Sequence, residues 1–154
     1  MATYYAESSV LVKRHVVEVG TPWVQMLTDP AAGHLFVTSR ISMVEVISAL
    51  NRRQREGSVS AAEYGRIVTD FEALCATDYQ LVELTEEIVD QARRLLEQHA
   101  LRAYDAVQLA SALLTDSIVR ASGELPLTFL AADDRLLTAA QIEGLAVDNP
   151  NRHP

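Results

Sequence analysis

Four acidic residues of this chain lie in segments that otherwise consist mostly of apolar residues. Glu7 follows the run TYYA, Glu45 lies within ISMVEVISAL, Asp105 within LRAYDAVQLASAL, and Asp133 follows LTFLAA. Burying an isolated carboxylate costs several kcal/mol unless it is paired or coordinates a cation. Because these segments contain no matching run of Lys or Arg, we predict that the four carboxylates share one cation site. Ligands that are all oxygen suit hard ions such as Mg²⁺ or Mn²⁺.

Each of these acids also has a simpler structural explanation. Glu7 and Asp133 could each cap the helix that follows, a position at which Asp is common. Glu45 could lie at the polar edge of an amphipathic helix, and Asp105 could be an acid of a first helical turn, where the helix dipole favours it. Asp134 could exchange roles with its neighbour Asp133, but we favour Asp133 as the ligand because it comes first after the apolar strand.

A further acid, Asp116, lies eleven residues after Asp105 on the same predicted helix. At the rise of an α-helix the two residues are about 16 Å apart, which is too far for them to share a metal ion. We therefore expect Asp116 to be a surface or peripheral residue outside the site.

The elements that must position these acids alternate between strand and helix. Strand-like runs occur at TYYA, HLFVTS, YQLVEL, LTFLAA and LAVDN, and segments with helical patterning separate them. This alternation predicts an α/β fold with a parallel sheet and helices on both faces. Such folds gather ligands at the carboxyl ends of their strands, where Glu7 and Asp133 are expected. We predict a single domain over residues 1–150 and a polar, frayed tail over residues 151–154.

The composition is that of an ordinary globular protein. The 154 residues are 49% hydrophobic and 22% charged, with a net charge of −8. This charge argues against a protein that coats nucleic acid, but not against an enzyme that acts on it. The start MATYYAESS lacks the features of a signal peptide, and no apolar run approaches the roughly 20 residues that span a membrane. With the single cysteine Cys75, the chain is expected in the cytoplasm and not in a membrane.

The basic residues suggest a surface that could contact phosphates. Lys13, Arg14, Arg52 and Arg53 become candidate contacts to an RNA backbone if the acids form a metal site. The alternative is that they lie on solvated helix faces. The histidines show no metal-ligand spacing, and neither a Gly-rich phosphate loop nor a G-x-S-x-G nucleophile motif is present.

Four segments together resemble the signatures of the PIN-domain family. These are YYAESSVLVKRHV, VTSRISMVEVISALNRR, LRAYDAVQLASAL and TFLAADDRLLTAA, and in this order they span nearly the whole chain. Small stand-alone members are typically VapC-type toxins of toxin–antitoxin pairs. The resemblance implies a Mg²⁺- or Mn²⁺-dependent endoribonuclease in which Glu7, Glu45, Asp105 and Asp133 are both metal ligands and catalytic residues. It also implies an RNA substrate and a cognate antitoxin, with a homodimer as the candidate assembly.

The chain departs from the family pattern at its first acid, where the usual residue is Asp and this sequence has Glu7. The carboxylate of Glu lies over an ångström further from the backbone, and Mg²⁺ demands near-ideal octahedral geometry. Ser8 is expected to support Glu7 through a hydrogen bond. The departure leaves a second interpretation open, a catalytically impaired PIN fold that binds RNA or an antitoxin. A third interpretation, a phosphohydrolase of small phosphate esters, shares the acids but lacks a phosphate loop.

Overall fold

One all-parallel sheet of five strands forms the centre of the fold. In the computed structural model, which describes residues 1–154, the strands are β1 (Thr3–Ala6), β2 (Leu35–Ser39), β3 (Tyr79–Val82), β4 (Thr128–Leu130) and β5 (Ala146–Asp148). Their order across the sheet is β3-β2-β1-β4-β5, and every neighbouring pair is parallel. All five strands coincide with segments that the sequence predicts as strands.

Seven α-helices connect and cover the strands. They are α1 (Ser8–His15), α2 (Thr21–Leu27), α3 (Ser42–Arg55), α4 (Ala61–Thr77), α5 (Glu86–Gln98), α6 (Ala103–Ala121) and α7 (Asp134–Ile142), with short 3₁₀ turns at Pro30–Ala32 and Pro150–Arg152. Local signals explain their starts: the Ser60 hydroxyl caps α4 and the Thr85 hydroxyl caps α5. None of the helices is long and apolar enough to cross a membrane.

Two apolar cores lie on opposite faces of the sheet. Because side chains alternate along a strand, Tyr5 and Phe129 pack with α5, α6 and α7, whereas their neighbours Ala6 and Leu130 pack with α1 to α4. The rings of Tyr5 and Phe129 stack with centroids 5.5 Å apart. The predicted fold class, a parallel α/β sheet with helices on both faces, is therefore confirmed.

The first helix is shorter than the helical segment that the sequence predicts. The sequence predicts helical structure up to Val19, but α1 ends at His15 and Val16 has extended backbone angles. The segment then turns at Gly20, whose φ is +86° and whose backbone packs so closely on Pro150 that a Cβ would lie 2.3 Å from its carbonyl oxygen. The Lys13 ammonium donates to the Val19 carbonyl oxygen at 2.9 Å and stabilises this turn.

Contacts between residues that are distant in the sequence account for two further departures from the predictions. Asp116 is buried rather than at the surface, because its carboxylate accepts a hydrogen bond from the Leu127 amide at 3.0 Å and pairs with Arg120 at 2.6 Å. The C-terminal tail is packed rather than frayed, because the His153 ring stacks on Trp23 with centroids 4.1 Å apart. The division into one domain over residues 1–150 and a tail over residues 151–154 stays a prediction.

Candidate functional site

The strand order reverses direction at the middle of the sheet. From the central strand β1 the chain continues to β2 and β3 on one side, and later to β4 and β5 on the other. The helices that follow β1 and β4 therefore leave the sheet in different directions and open a crevice at the carboxyl ends of these strands, the usual place for ligands in open α/β sheets. Glu7 directly follows β1, and Asp133 follows β4 after two residues.

All four predicted acids line one cleft at this crevice. The cleft has a volume of about 690 Å³ and also includes Ser8, Ser9, Lys13, Arg52, Arg53, Arg102 and Tyr104. Glu45 comes from the first turn of α3 and Asp105 from the first turn of α6, so that four separate elements contribute one carboxylate each. The parallel fold thus brings together acids that are up to 126 residues apart in the sequence, from Glu7 to Asp133.

Glu7 is the most buried of the four and caps α1. One carboxylate oxygen, Oε1, accepts from the Ser8 hydroxyl at 2.6 Å, while Oε2 accepts from the Ser9 amide at 3.0 Å and from the Ser9 hydroxyl. The side chain is 6% exposed. Burial raises the pKa of Glu7, the bonds from both serines oppose this shift, and the nearby charge of Asp105 adds to it. The expected support from Ser8 is present, and Ser9 supplies more.

Glu45 is held by an amide from the neighbouring helix. Its Oε1 accepts a hydrogen bond from Gln108 Nε2 at 2.6 Å. Partial burial raises the pKa of Glu45 to about 6, with the bond from Gln108 opposing this shift and the charges of Glu7 and Asp105 adding to it. A carboxyl with this pKa is in exchange between its two protonation states near neutral pH.

Asp105 is half-buried beside charges of both signs. Burial raises its pKa and the charge of Asp133 raises it further, while Arg102 and Arg135 partly offset the shift. The repulsion among Glu7, Glu45 and Asp105 shows that the acids interact electrostatically. A cation placed among them would relieve this repulsion.

The adjacent acids Asp133 and Asp134 have different surroundings. Asp133 lines the cleft and caps α7, with Oδ1 accepting from the amides of Arg135 at 2.9 Å and Leu136 at 3.5 Å. Asp134 is exposed outside the cleft and accepts from Arg152 and from Asn149, both at 2.9 Å. These bonds hold the pKa of Asp134 below its usual range. The geometry therefore favours Asp133 as the cleft acid, in agreement with the choice made from the sequence.

The predicted basic residues divide between the cleft and another surface. Lys13, Arg52 and Arg53 line the cleft, and Arg53 also pairs with Glu18 at 3.2 Å. Arg14 does not, because its guanidinium turns the other way and donates to the Tyr79 hydroxyl at 2.9 Å. Arg14 therefore lies away from the acids, and its contact with RNA stays a prediction.

Two residues at the cleft were missed from the sequence. Arg102, just before α6, lines the cleft near Asp105 and adds a cation. Gln108 lies behind the acids, fully buried, and bonds to Glu45. Its signal was available: a polar residue within DAVQLASAL, three positions after Asp105, is as unusual in an apolar segment as the acids are.

The donor set fits a hard divalent cation by its chemistry, since it consists of carboxylate oxygens that repel one another. The side chains are nevertheless not arranged as a finished cage, because no three His, Cys, Asp or Glu residues stand close enough together to hold a metal ion. Glu7, Glu45 and Asp133 are instead engaged in hydrogen bonds to Ser8 and Ser9, to Gln108 and to the start of α7. Binding an ion would exchange some of these bonds for metal ligands.

The fold and site define a parallel α/β domain with an acidic cleft at its switch point, and comparison with known proteins gives its family. Residues 23–141 match the PIN domain model. Ribonuclease VapC45 of Mycobacterium tuberculosis (strain CDC 1551 / Oshkosh) and ribonuclease VapC49 of M. tuberculosis (strain ATCC 25618 / H37Rv) are each 33% identical over 147 residues, which are 96% of this chain and 95% of theirs. The chain belongs to the PIN domain family. The matched range contains Glu45, Asp105 and Asp133 and begins after Glu7.

Solved structures share the fold at lower sequence identity. The chain is similar to M. tuberculosis VapC20, described as a sarcin–ricin loop cleaving toxin, with a TM-score of 0.62 and 18% identity over 88% of this chain and 94% of that one. It is also similar to a chain of a toxin–antitoxin complex from Klebsiella pneumoniae, with a TM-score of 0.60 and 15% identity over 97% of this chain and 98% of that one. At these identities the likeness concerns the fold.

Proposed function

We propose that this protein is a metal-dependent endoribonuclease that hydrolyses RNA phosphodiesters and acts as the cytoplasmic toxin of a toxin–antitoxin pair. The observation that carries the proposal is the convergence of Glu7, Glu45, Asp105 and Asp133 on one cleft with a cationic rim. Its relatives at 33% identity are named ribonucleases, which supports RNA as the substrate.

The four carboxylates would hold one or two Mg²⁺ or Mn²⁺ ions. When bound, such ions activate water and neutralise charge on the phosphate during hydrolysis. The protein itself positions the substrate: Lys13, Arg52 and Arg102 line the cleft as cations to which phosphate oxygens can bind.

The site requires no protein nucleophile. The cleft contains neither a cysteine nor a histidine, and of its three serines, Ser8, Ser9 and Ser48, the first two donate to Glu7. Their bonds orient the Glu7 carboxylate within the cleft.

RNA cleavage assays with purified protein test this proposal. We expect cleavage with Mn²⁺ or Mg²⁺, none with EDTA, and none from Asp105→Asn purified in parallel, which controls for contaminating nucleases. Equal cleavage by the wild type and Asp105→Asn would reject the catalytic proposal. Hydrolysis of small phosphate esters without RNA cleavage would favour a phosphohydrolase instead.

A second candidate function is RNA or antitoxin binding without efficient catalysis. The observation that favours it is the hydrogen bonding of both Glu7 oxygens to the first turn of α1. In that case the wild type would bind RNA with Mn²⁺ present but leave it uncut, and Glu7→Asp would restore cleavage.

The antitoxin partner is part of the proposal. An Arg of the partner could bind the cleft acids, and partner carboxylates could bind Arg52 and Arg53, which border the cleft. The likeness to a chain from a toxin–antitoxin complex supports an antitoxin as the partner. We expect a small protein to co-purify with the chain when it is expressed from its native operon. Recovery of the chain alone would argue against an antitoxin.

A further inference from the structure

A chain of buried hydrogen bonds runs behind the acidic cleft, from the end of β1 to Glu45. Thr38 Oγ1 donates to the Ala6 carbonyl oxygen at 2.7 Å and lies 2.7 Å from Ser42 Oγ. Gln108 Nε2 lies 2.8 Å from Ser42 Oγ and 2.6 Å from Glu45 Oε1, and the Tyr5 hydroxyl lies 2.8 Å from Gln108 Oε1. Of these polar side chains, all but Glu45 are at most 1% exposed: Tyr5, Thr38, Ser42 and Gln108.

The donor and acceptor roles in this series of hydrogen bonds follow from the Ala6 carbonyl at its end. The Ala6 carbonyl can only accept, so the hydroxyl hydrogen of Thr38 is used there and its oxygen must accept from Ser42. The Ser42 hydrogen is then used in turn, so Ser42 accepts from Gln108. The Gln108 amide must therefore present its amino group to this side and its carbonyl oxygen to Tyr5.

We propose that Gln108 is a positioning residue for Glu45, with its amide orientation fixed by Tyr5, Ser42 and Thr38. The fixed orientation places an N–H donor, and not a carbonyl oxygen, against the Glu45 carboxylate. A reversed amide would place two oxygens against each other and push the carboxylate away. Ala6 precedes Glu7, so the same chain of bonds also relates Glu45 to the backbone that carries the first acid.

The arrangement matters to a cation site because one oxygen of Glu45 is held while the carboxylate remains part of the cleft wall. Partners that orient metal-binding residues typically contribute about 10- to 100-fold to metal affinity or activity. The inference rests on the proposed function, in which Glu45 binds the ion, and it adds a residue that touches neither ion nor RNA.

Two substitutions test the role of the amide. Gln108→Met keeps an unbranched side chain of similar length but removes both amide groups, and Tyr5→Phe removes only the hydroxyl that donates to the amide oxygen. The matched control is Thr115→Val on the same helix, because the buried Thr115 hydroxyl bonds only to the Ser111 carbonyl oxygen. All variants should be compared by melting temperature in EDTA, so that a general loss of stability is visible.

The decisive readout is the dissociation constant for Mn²⁺, measured by the loss of the free-ion electron paramagnetic resonance signal. We expect Gln108→Met to weaken Mn²⁺ binding by about tenfold or more, Tyr5→Phe by a smaller factor, and Thr115→Val not at all. In RNA cleavage, kcat should fall for Gln108→Met while KM stays near the wild-type value. If Gln108→Met does not fold, a wild-type dissociation constant for Tyr5→Phe would overturn the proposal.

The outcomes separate this inference from the proposed function. Wild-type Mn²⁺ affinity in Gln108→Met, with cleavage intact, would overturn the positioning role and leave the nuclease proposal standing. If the wild type binds Mn²⁺ but cuts no RNA, and Gln108→Met binds Mn²⁺ more weakly, the positioning role is supported and the nuclease proposal is rejected. Absence of Mn²⁺ binding by the wild type would overturn both.

Discussion

The two strand-to-helix junctions on either side of the switch point each have an acidic residue that caps the following helix, but the two caps differ in their hydrogen bonds. Glu7 caps α1 and Asp133 caps α7, each with its carboxylate on the amides of the helix start. Glu7 is buried and uses both oxygens, Oε2 for the Ser9 amide and Oε1 for the Ser8 hydroxyl, whereas the hydrogen bonds of Asp133 involve only Oδ1 and its side chain is exposed. The shorter acid thus keeps an oxygen available to the cleft, and the longer acid folds back onto its own helix.

The two caps therefore differ in how much of each carboxylate their hydrogen bonds occupy. A cap needs only one acceptor oxygen. The hydroxyls of Ser8 and Ser9 occupy Glu7 beyond that need, and Ser9 also accepts from the Ala132 amide at 3.1 Å, which connects the first junction to the second. The wall formed by Glu7 and Glu45 is therefore more constrained than the wall formed by Asp105 and Asp133.

The largest effect on RNA cleavage is expected from a substitution of Asp105, on the less constrained wall of the cleft. Asp105→Asn should lower metal-dependent RNA cleavage on the order of 10²-fold or more, because under the proposed function it removes one of the charged metal ligands. Since burial and Asp133 raise the pKa of Asp105, neutralising it should raise the melting temperature in EDTA. Differential scanning fluorimetry should also show that Mn²⁺ stabilises the wild type and not Asp105→Asn. An Asn variant that is less stable than the wild type in EDTA would contradict this account of the site.

The next largest effect is expected for Glu7→Asp, which gives the first junction the same acid as the second. Glu7→Asp should retain the cap with one oxygen and turn the other toward the cleft, and we expect metal-dependent cleavage to rise by about 10²-fold, since a misplacement near 1 Å can cost that much. The comparison requires RNA cleavage rates at saturating Mn²⁺.

The converse substitution is the control for this prediction. Asp133→Glu should lower cleavage, because the longer side chain moves its carboxylate by about 1 Å from its present place in the cleft. A fall in activity for Glu7→Asp would mean that the surrounding backbone is adapted to the longer side chain, and an unchanged rate would remove Glu7 from the ligand set.

The stability of the protein should depend on pH through the carboxyl of Glu45, on the more constrained wall of the cleft. The pKa of Glu45 is raised from 4.5 to about 6, so the stability that its protonated form contributes is fully present below the lower value and is lost as the pH rises through the upper one. In EDTA, we expect the free energy of unfolding to fall with rising pH by about 1 kcal/mol less in Glu45→Gln than in the wild type. This figure includes a reduction for solvent screening of the partly exposed carboxyl. Urea unfolding at several pH values measures it. Parallel pH profiles for the two proteins would contradict the shifted pKa.

The smallest effect is expected just outside the cleft. Asp134→Asn removes an exposed ion pair with Arg152 and should leave cleavage and Mn²⁺ affinity unchanged, with a melting temperature within about 2 °C of the wild type. A loss of activity equal to that of Asp133→Asn would show that the two neighbouring acids share the site.

Sequence reasoning succeeded where a local pattern determines the outcome. Strand runs bounded by turn residues, caps such as Ser60 and Thr85, and acids in apolar segments each reflect chemistry within a few residues of chain. The parallel arrangement then follows from alternation, and with it the meeting of Glu7 and Asp133 at one edge. The choice of Asp133 over Asp134 also needed only the position of the strand end.

The sequence was less informative where distant groups satisfy one another. Asp116 reads as a surface acid until the amide of Leu127 is known to face it, and the tail reads as frayed until His153 is seen on Trp23. Arg14 and Lys13 are neighbours, yet consecutive helical residues point in different directions, so that only Lys13 reaches the cleft. Periodicity does not indicate which of the two directions leads to the acids.

The most direct test of the shared site is a count of Mn²⁺ bound to the wild type and to the single variants Glu45→Gln, Asp105→Asn, Asp133→Asn and Asp134→Asn. Electron paramagnetic resonance titration of free Mn²⁺ gives both stoichiometry and affinity. The four-acid account predicts saturable binding that is weakened about tenfold or more in the first three variants and unchanged in Asp134→Asn. Equal Mn²⁺ binding by all five proteins would contradict it, because the carboxylates of the cleft would then not be the ligands.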